Sequence, residues 1–290
     1  MITGYDYISI AFYFVFVISV GVVFSRRNKN SSDYFRGGGI MPWWMAGVSA
    51  WMASFSAWTF TGAAGKIYQN GPFVLLLYFS SIAAYVMILV FTCYRFRRMR
   101  TVTPMEAIRA RYGLATQQFV TWIRLPFLLL FGGVALNTVG VFMSGAFGVE
   151  LPVVIMILGG MVTFVSLVGG AFGVAASDFV QMFLVVTITL IISALALAQP
   201  QVGGLHGLLE KAPYAHFHWA QTARPEFIML WFTALMFNTI FAQNSMEMSA
   251  KYLMARSDAH ARKMVVFPLL GTIVGPLLWI VPPMVAAYRA

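Results

Sequence analysis

Between Tyr7 and Phe24 the chain carries no charged side chain, and stretches of the same kind recur along its length. A hydrocarbon core about 30 Å thick takes roughly 20 apolar residues in helical form. Lipid offers no partner to a free backbone N–H or C=O, so long apolar runs cross it as helices. Composition agrees. Of 290 residues, 60% are hydrophobic and 10% charged, with a mean hydropathy of +0.79, against about 25% charged in an ordinary soluble domain. A single soluble core does not grow large enough to absorb that much apolar surface. The expected fold class is an all-α membrane protein forming a single transmembrane domain over 1–290, with lipid as its solvent.

About eight spans can be laid out: 7–24, 42–65, 73–94, 119–147, 152–172, 179–198, 227–249 and 265–288. Pro42 suits a first helical position. The segment from Thr101 to Gly113 is too charged to span. If the first helix runs from outside to inside, the loops at 25–41, 95–124, 171–178 and 250–264 are cytoplasmic. They hold 15 of the 19 Lys and Arg, leaving Lys66, Lys211, Arg224 and Arg289 outside. That bias is the positive-inside pattern. It places the amino terminus outside and the chain in the inner or plasma membrane. It also accounts for the net charge of +10 without nucleic acid, because the basic residues sit at helix ends facing anionic headgroups.

Other chemistries find little support. Cys93 is the only cysteine and the histidines are scattered at 206, 216, 218 and 260. His216 and His218 with Trp219 read as a solvated loop rather than a metal site. The spans hold no acid–base pair, nucleophile elbow or metal-ligand cluster, so the expectation is a protein that is not an enzyme and needs no cofactor.

Polar side chains inside spans carry the information, because lipid makes them costly. Two spans stand out. The second holds Ser49, Ser54, Ser56, Thr59, Thr61, Gly62 and Gly65; the seventh holds Asn238, Thr239, Gln243, Asn244 and Ser245. Small and hydroxyl residues can serve helix packing, but amides at depth want partners or a wet cavity. Inverted-repeat transporters place broken helices at corresponding positions of their two halves. A five-helix repeat over 42–198 and the first two helices of a second over 227–288, preceded by an extra helix at 7–24, would match these two spans. Ser177 and Asp178 could cap the sixth helix, or Asp178 could lie beside a cation pathway; the two readings are compatible.

The residues also resemble a known family. Asp33-Tyr34-Phe35-Arg36-Gly37-Gly38, Met41-Pro42-Trp43-Trp44 and Phe55-Ser56-Ala57 with Gly62 are similar to the opening of sodium:solute symporters, which include sodium–glucose, proline and pantothenate transporters. The similarity continues through Thr103-Pro104-Met105-Glu106, Arg111-Tyr112-Gly113, Gly169-Gly170, Ser177-Asp178-Phe179-Val180-Gln181 and Lys251-Tyr252-Leu253-Met254-Ala255-Arg256-Ser257. The resemblance implies a leucine-transporter-like inverted-repeat fold, truncated here in its second repeat. It implies a sodium half-site at Met52, Phe55 and Ser56, the sodium ion being the coupling ion, with Asp178 near the ion pathway. Thr59, Asn238 and the aromatic gate Phe241 are the implied substrate-binding residues. Sugar-carrying members have Glu-Gln where this chain has Trp58-Thr59, Tyr in place of Phe241, and Asn-Gln in place of Ser245-Met246.

The expected function is sodium-coupled symport of a small organic solute, by this chain or by a protein of which it is the N-terminal part. The alternative is a symporter-like sensor module of a signalling protein. Expected partners are sodium, the solute and the lipid bilayer, with no nucleic acid.

Overall fold

The computed structural model describes residues 4–211 and 225–289. His216, His218, Trp219 and Arg224 lie outside these residues. The described residues are almost wholly helical: α1 (Gly4–Ser25), α2 (Ser31–Arg36), α3 (Trp43–Met52), α4 (Gly62–Asn70), α5 (Leu75–Met87), α6 (Cys93–Arg98), α7 (Pro104–Phe147), α8 (Leu151–Leu197), α9 (Gly204–Lys211), α10 (Pro225–Gln243), α11 (Met246–Leu253), α12 (Asp258–Trp279) and α13 (Val281–Arg289). A wide π turn at Ile88–Thr92 joins α5 to α6.

Six helical stretches among the described residues are long and apolar enough to cross a membrane, where about eight were expected. Two physical reasons account for the difference. The second expected span is broken between Met52 and Gly62, so its first piece is too short and its second runs on into the stretch 57–98. The fifth and sixth are fused in the 47-residue α8, which bends at Gly170 with φ 57° and ψ −162°. That backbone region is essentially open to glycine alone.

The bend at Gly170 is held from outside the helix. Asn28 Nδ2 donates to the carbonyls of Val168 (3.3 Å) and Gly169 (3.2 Å). Tyr34 Oη shares its one hydrogen between those of Ser166 (3.2 Å) and Leu167 (3.1 Å). These are carbonyls that a bent helix would otherwise leave unmet. The helix resumes at once, so the expected loop 171–178 is helical. Gly170→Ala should therefore be costly: its Cβ would lie 2.8 Å from Asn28 Nδ2 and φ would be strained by about 1–3 kcal/mol. A clear fall in unfolding temperature, measured in detergent, is the expected result; an unchanged one would mean the bend is not formed.

α7 bends likewise, at Gly113 (φ 85°, ψ 172°). Thr103 caps it by accepting from Glu106 N–H, and the Glu106 carboxylate accepts Val102 N–H at 2.8 Å, the reciprocal arrangement of a capping box. The polar segment before Gly113 is thereby set apart from the apolar arm that follows, as the charge pattern predicts.

The basic loops meet at one end. Arg36 donates to the carbonyls of Arg100 and Thr101, each at 3.4 Å. Arg97 donates to Arg256 O at 2.8 Å, and Arg98 pairs with Asp258 at 2.7 Å. A core of Met41, Met45, Tyr85, Phe172, Tyr252 and Met264 lies at that end. A second core, with Ile67, Val202, Leu208, Ile280 and Met284, joins α4, α9 and α13.

Small residues bring the helices close. A Cβ on Gly169 would sit 3.4 Å from Gly21 Cα, and one on Gly47 would sit 2.7 Å from Met264 O. The latter presses α3 onto α12. Phe12, Leu129, Leu195 and Phe227 are exposed, as lipid-facing side chains are.

Candidate functional site

Both polar-rich spans are interrupted. α3 tightens at its end, where Ser54 N–H bonds Trp51 O and Phe55 N–H bonds Met52 O, each at 3.0 Å. Ser56 is extended (φ −142°, ψ 164°), a single 3-10 turn covers Ala57–Thr59, and α4 begins at Gly62. Gly62 leaves room for the Trp58 ring, since a Cβ there would lie 2.3 Å from its indole nitrogen and force the ring to turn. The other span stops at Gln243 and restarts at Met246. The run of hydroxyl, amide and glycine residues offers the backbone local partners that compete with the helix ladder.

A cavity of about 140 Å³ opens at the first interruption. From the break, Ser54, Phe55 and Thr59 face it. Tyr78, Ser81 and Tyr85 come from α5, and Gln243 from the end of α10. Trp51, Gly271, Thr272 and Trp279 close it. Ser54 Oγ lies 3.3 Å from Tyr85 Oη and accepts from Gln243 Nε2 at 3.4 Å. The rings of Phe55 and Tyr78 pack on Trp279 with centroids 5.3 and 5.6 Å apart. Hydroxyls, one amide and aromatic faces line this space, and no charged side chain is among them.

The structure sorts the expected site residues into three groups. Thr59 (6% exposed) and Phe55 line the cavity, and the Met52 carbonyl lies at the same break, engaged by Phe55 N–H; Ser56 is adjacent and exposed.

Asn238 and Phe241 do not face the cavity: both are exposed, Phe241 at 75%. The reason is helical phase. At 3.6 residues per turn, Asn238 lies about 140° around the helix from Gln243, and Phe241 about 160°. The face that packs on α5 carries Thr239 and Gln243, with Thr239 Oγ1 3.4 Å from Ser80 Oγ.

Asp178 forms the third group. It lies inside α8, eight residues past the bend at Gly170, so it does not cap a helix. Its Oδ2 accepts the hydroxyl of Ser49 at 2.5 Å, and Ser49 Oγ accepts from Lys251 Nζ at 3.0 Å. Ser49 is buried and stands three residues before Met52, about 4.5 Å along the helix. Burial pushes the Lys251 ammonium below its usual range, and the Asp178 carboxylate opposes that shift.

Lys251 was not legible as a site residue, being one of many basic residues near helix ends. Tyr78, Tyr85 and Trp279 look in sequence like any aromatic side chain of an apolar span.

Comparison with known proteins gives the family context. The model of the sodium:solute symporter family matches residues 34–281. A sodium/sialic acid symporter of Proteus mirabilis is 29% identical over 172 residues, covering 58% of this chain and 34% of that protein. A sodium/glucose cotransporter of Vibrio parahaemolyticus is 26% identical over 307 aligned residues, covering 98% of this chain and 55% of that protein. A solved structure of a Na+-coupled sialic acid symporter, substrate-bound and outward-open, superposes with a TM-score of 0.82 at 21% identity. That likeness covers 97% of this chain and 61% of the other. The fold is therefore the leucine-transporter-like one, and the chain spans between about a third and three-fifths of the lengths of these proteins.

Proposed function

The chain belongs to the sodium:solute symporter family, and from that premise we propose that it serves sodium-coupled symport of a small, uncharged organic solute bound in the cavity at the α3–α4 break. The observation that carries this reading is the lining itself. Ser54, Thr59, Tyr85, Gln243 and Thr272 offer neutral donors and acceptors, while Trp51, Phe55 and Trp279 offer flat apolar faces. A cavity near the volume that accepts a six-membered ring, about 150 Å³, suits a compact solute. The relatives' names specify sialic acid and glucose. A carboxylate taken into this cavity would find no countercharge, which favours the uncharged class.

In this reading sodium binds at the break, on the carbonyls of Met52 and Phe55 beside Ser56, with Asp178 supplying negative charge nearby. Residues 42–198 form one repeat and 227–288 the opening of the second, and rocking between them gives alternating access. On α10, solute contact falls to Gln243 instead of Asn238 or Phe241.

Purified chain in lipid nanodiscs, heated with a panel of neutral sugars, polyols and sialic acid, tests the proposal. An uncharged solute at 100 times its Kd should stabilise the chain by about 2.7 kcal/mol, in sodium but not in choline. Gln243→Ala should abolish the shift and Asn238→Ala should leave it. Stabilisation by sialic acid alone, or equally in choline, would overturn the reading.

The meeting of the basic loops at one end supports a cytoplasmic location for all of them and an outside amino terminus. Ala259, exposed on α12, gives the check. Ala259→Cys should be labelled in intact cells only by a membrane-permeant thiol reagent; labelling by an impermeant one would reverse the topology.

A further inference from the structure

Lys251, Ser49 and Asp178 come from α11, α3 and α8, three elements distant in sequence. The hydroxyl of Ser49 has one hydrogen, which goes to Asp178, so it can only accept from the ammonium. The order Lys251 to Ser49 to Asp178 is thus fixed by chemistry.

Neither charge has another ionic partner in contact among the described residues. The ion pairs there join Arg97 and Arg98 to Asp258, Arg124 to Glu247 and His206 to Glu210. Glu247, one turn before Lys251 on α11, is engaged by Arg124 at 2.5 Å. The ammonium therefore has its countercharge across the Ser49 bridge, about one helical turn from the Met52 carbonyl. A sodium ion approaching Asp178 from the break meets a cation already in residence. Two cations beside one partly buried carboxylate repel each other strongly.

We propose that Lys251 is a tethered cation that satisfies Asp178 through Ser49 while the coupling sodium is absent, and that sodium reaching Asp178 displaces it and frees α11 from α3. The inference rests on the sodium reading above. Exchanging one monovalent cation for another leaves the Asp178 carboxylate compensated before and after the exchange. Its consequence is mechanical. α11 follows the interruption of the second broken span, so ion arrival at the first break is transmitted to the second.

Binding of radioactive sodium to the purified chain in nanodiscs, with hydrogen exchange of residues 246–253 followed in parallel, tests this. The wild-type chain should bind sodium and Asp178→Asn should not. Lys251→Met should bind about tenfold more tightly, since a competing unit charge has been removed. Lys251→Gln, which still donates a hydrogen bond to Ser49, should do the same and guards against misfolding of the first variant. Sodium should raise exchange in α11 of the wild type, while in Lys251→Met exchange should be high with or without it. Sodium bound equally by the wild type and both Lys251 variants would overturn the tethered-cation role and leave the sodium reading standing. Sodium bound by none of them would overturn the sodium reading itself, and this inference with it.

Discussion

Gly47→Val is expected to leave no stably folded chain after extraction from the membrane. The first added carbon would meet Met264 O at 2.7 Å, Phe267 Cδ2 at 2.9 Å and Met264 Cα at 3.2 Å. Two of these atoms are backbone, so relief requires α3 and α12 to part. Overpacking of this kind costs about 1–3 kcal/mol or more, and valine adds two further methyls against the same wall. Gly47→Ala should lie at the mild end, lowering the unfolding temperature without loss of the folded peak. Gly132 is the control: a Cβ there meets nothing within 4 Å, so Gly132→Ala should be nearly silent. Size-exclusion chromatography in detergent separates the outcomes. A monodisperse Gly47→Val chain with wild-type unfolding temperature would show that α3 and α12 are not in contact at this point.

Asp178→Leu should be nearly as damaging, and for a different reason. It leaves the Lys251 ammonium without its countercharge across Ser49. Breaking a fully buried pair costs about 3–5 kcal/mol. This one is half-buried and bridged, so a loss of about 1–3 kcal/mol is expected. Lys251→Met in sodium-free buffer should cost a similar amount by stranding Asp178. Combining the two removes both charges, and the double variant should recover most of the loss. Chemical or thermal unfolding of the four proteins in choline gives the coupling. Additive losses would mean that the two groups act independently and that the Ser49 bridge carries no energy. The cycle belongs in choline because sodium could stand in for the missing ammonium.

Much of the architecture was legible because its causes are local. Apolar runs located the spans, and the charge pattern grouped loops that the structure does bring together, as Arg36 with Thr101 and Arg97 with Arg256. The dense hydroxyl and amide runs marked both interrupted helices. The bend at Gly170 was harder to read: a glycine in an apolar run is common, and only Asn28 and Tyr34, well over a hundred residues earlier, make it a stable bend. Lacking them, the sequence suggests a loop and a cap at Asp178 where there is continuous helix.

The site residues divide along the same line. Thr59 was expected from the resemblance, and the structure places it in the wall of the cavity at the broken segment. Asn238 and Phe241 were expected inward, yet α10 presents Thr239 and Gln243 to α5, because rotation about a helix axis is set by the partner it packs on. The seam is fixed by the hydrogen bonds Thr239–Ser80, Gln243–Ser54 and Thr92–Asn244. Residues in one polar run look equivalent until such a seam chooses among them.

By itself the sequence determined that this chain is a multi-pass helical membrane protein whose basic residues gather at helix ends. Hydropathy and charge act residue by residue against a fixed solvent, so their effects can be summed along the chain. Only the tertiary structure decided that Ser49, Asp178 and Lys251 form one group, separate from the uncharged cavity. Residues 129 and 202 positions from Ser49 meet it only through the packing of α3, α8 and α11, and that packing depends on close backbone approaches such as Gly47 on Met264, which no local pattern encodes.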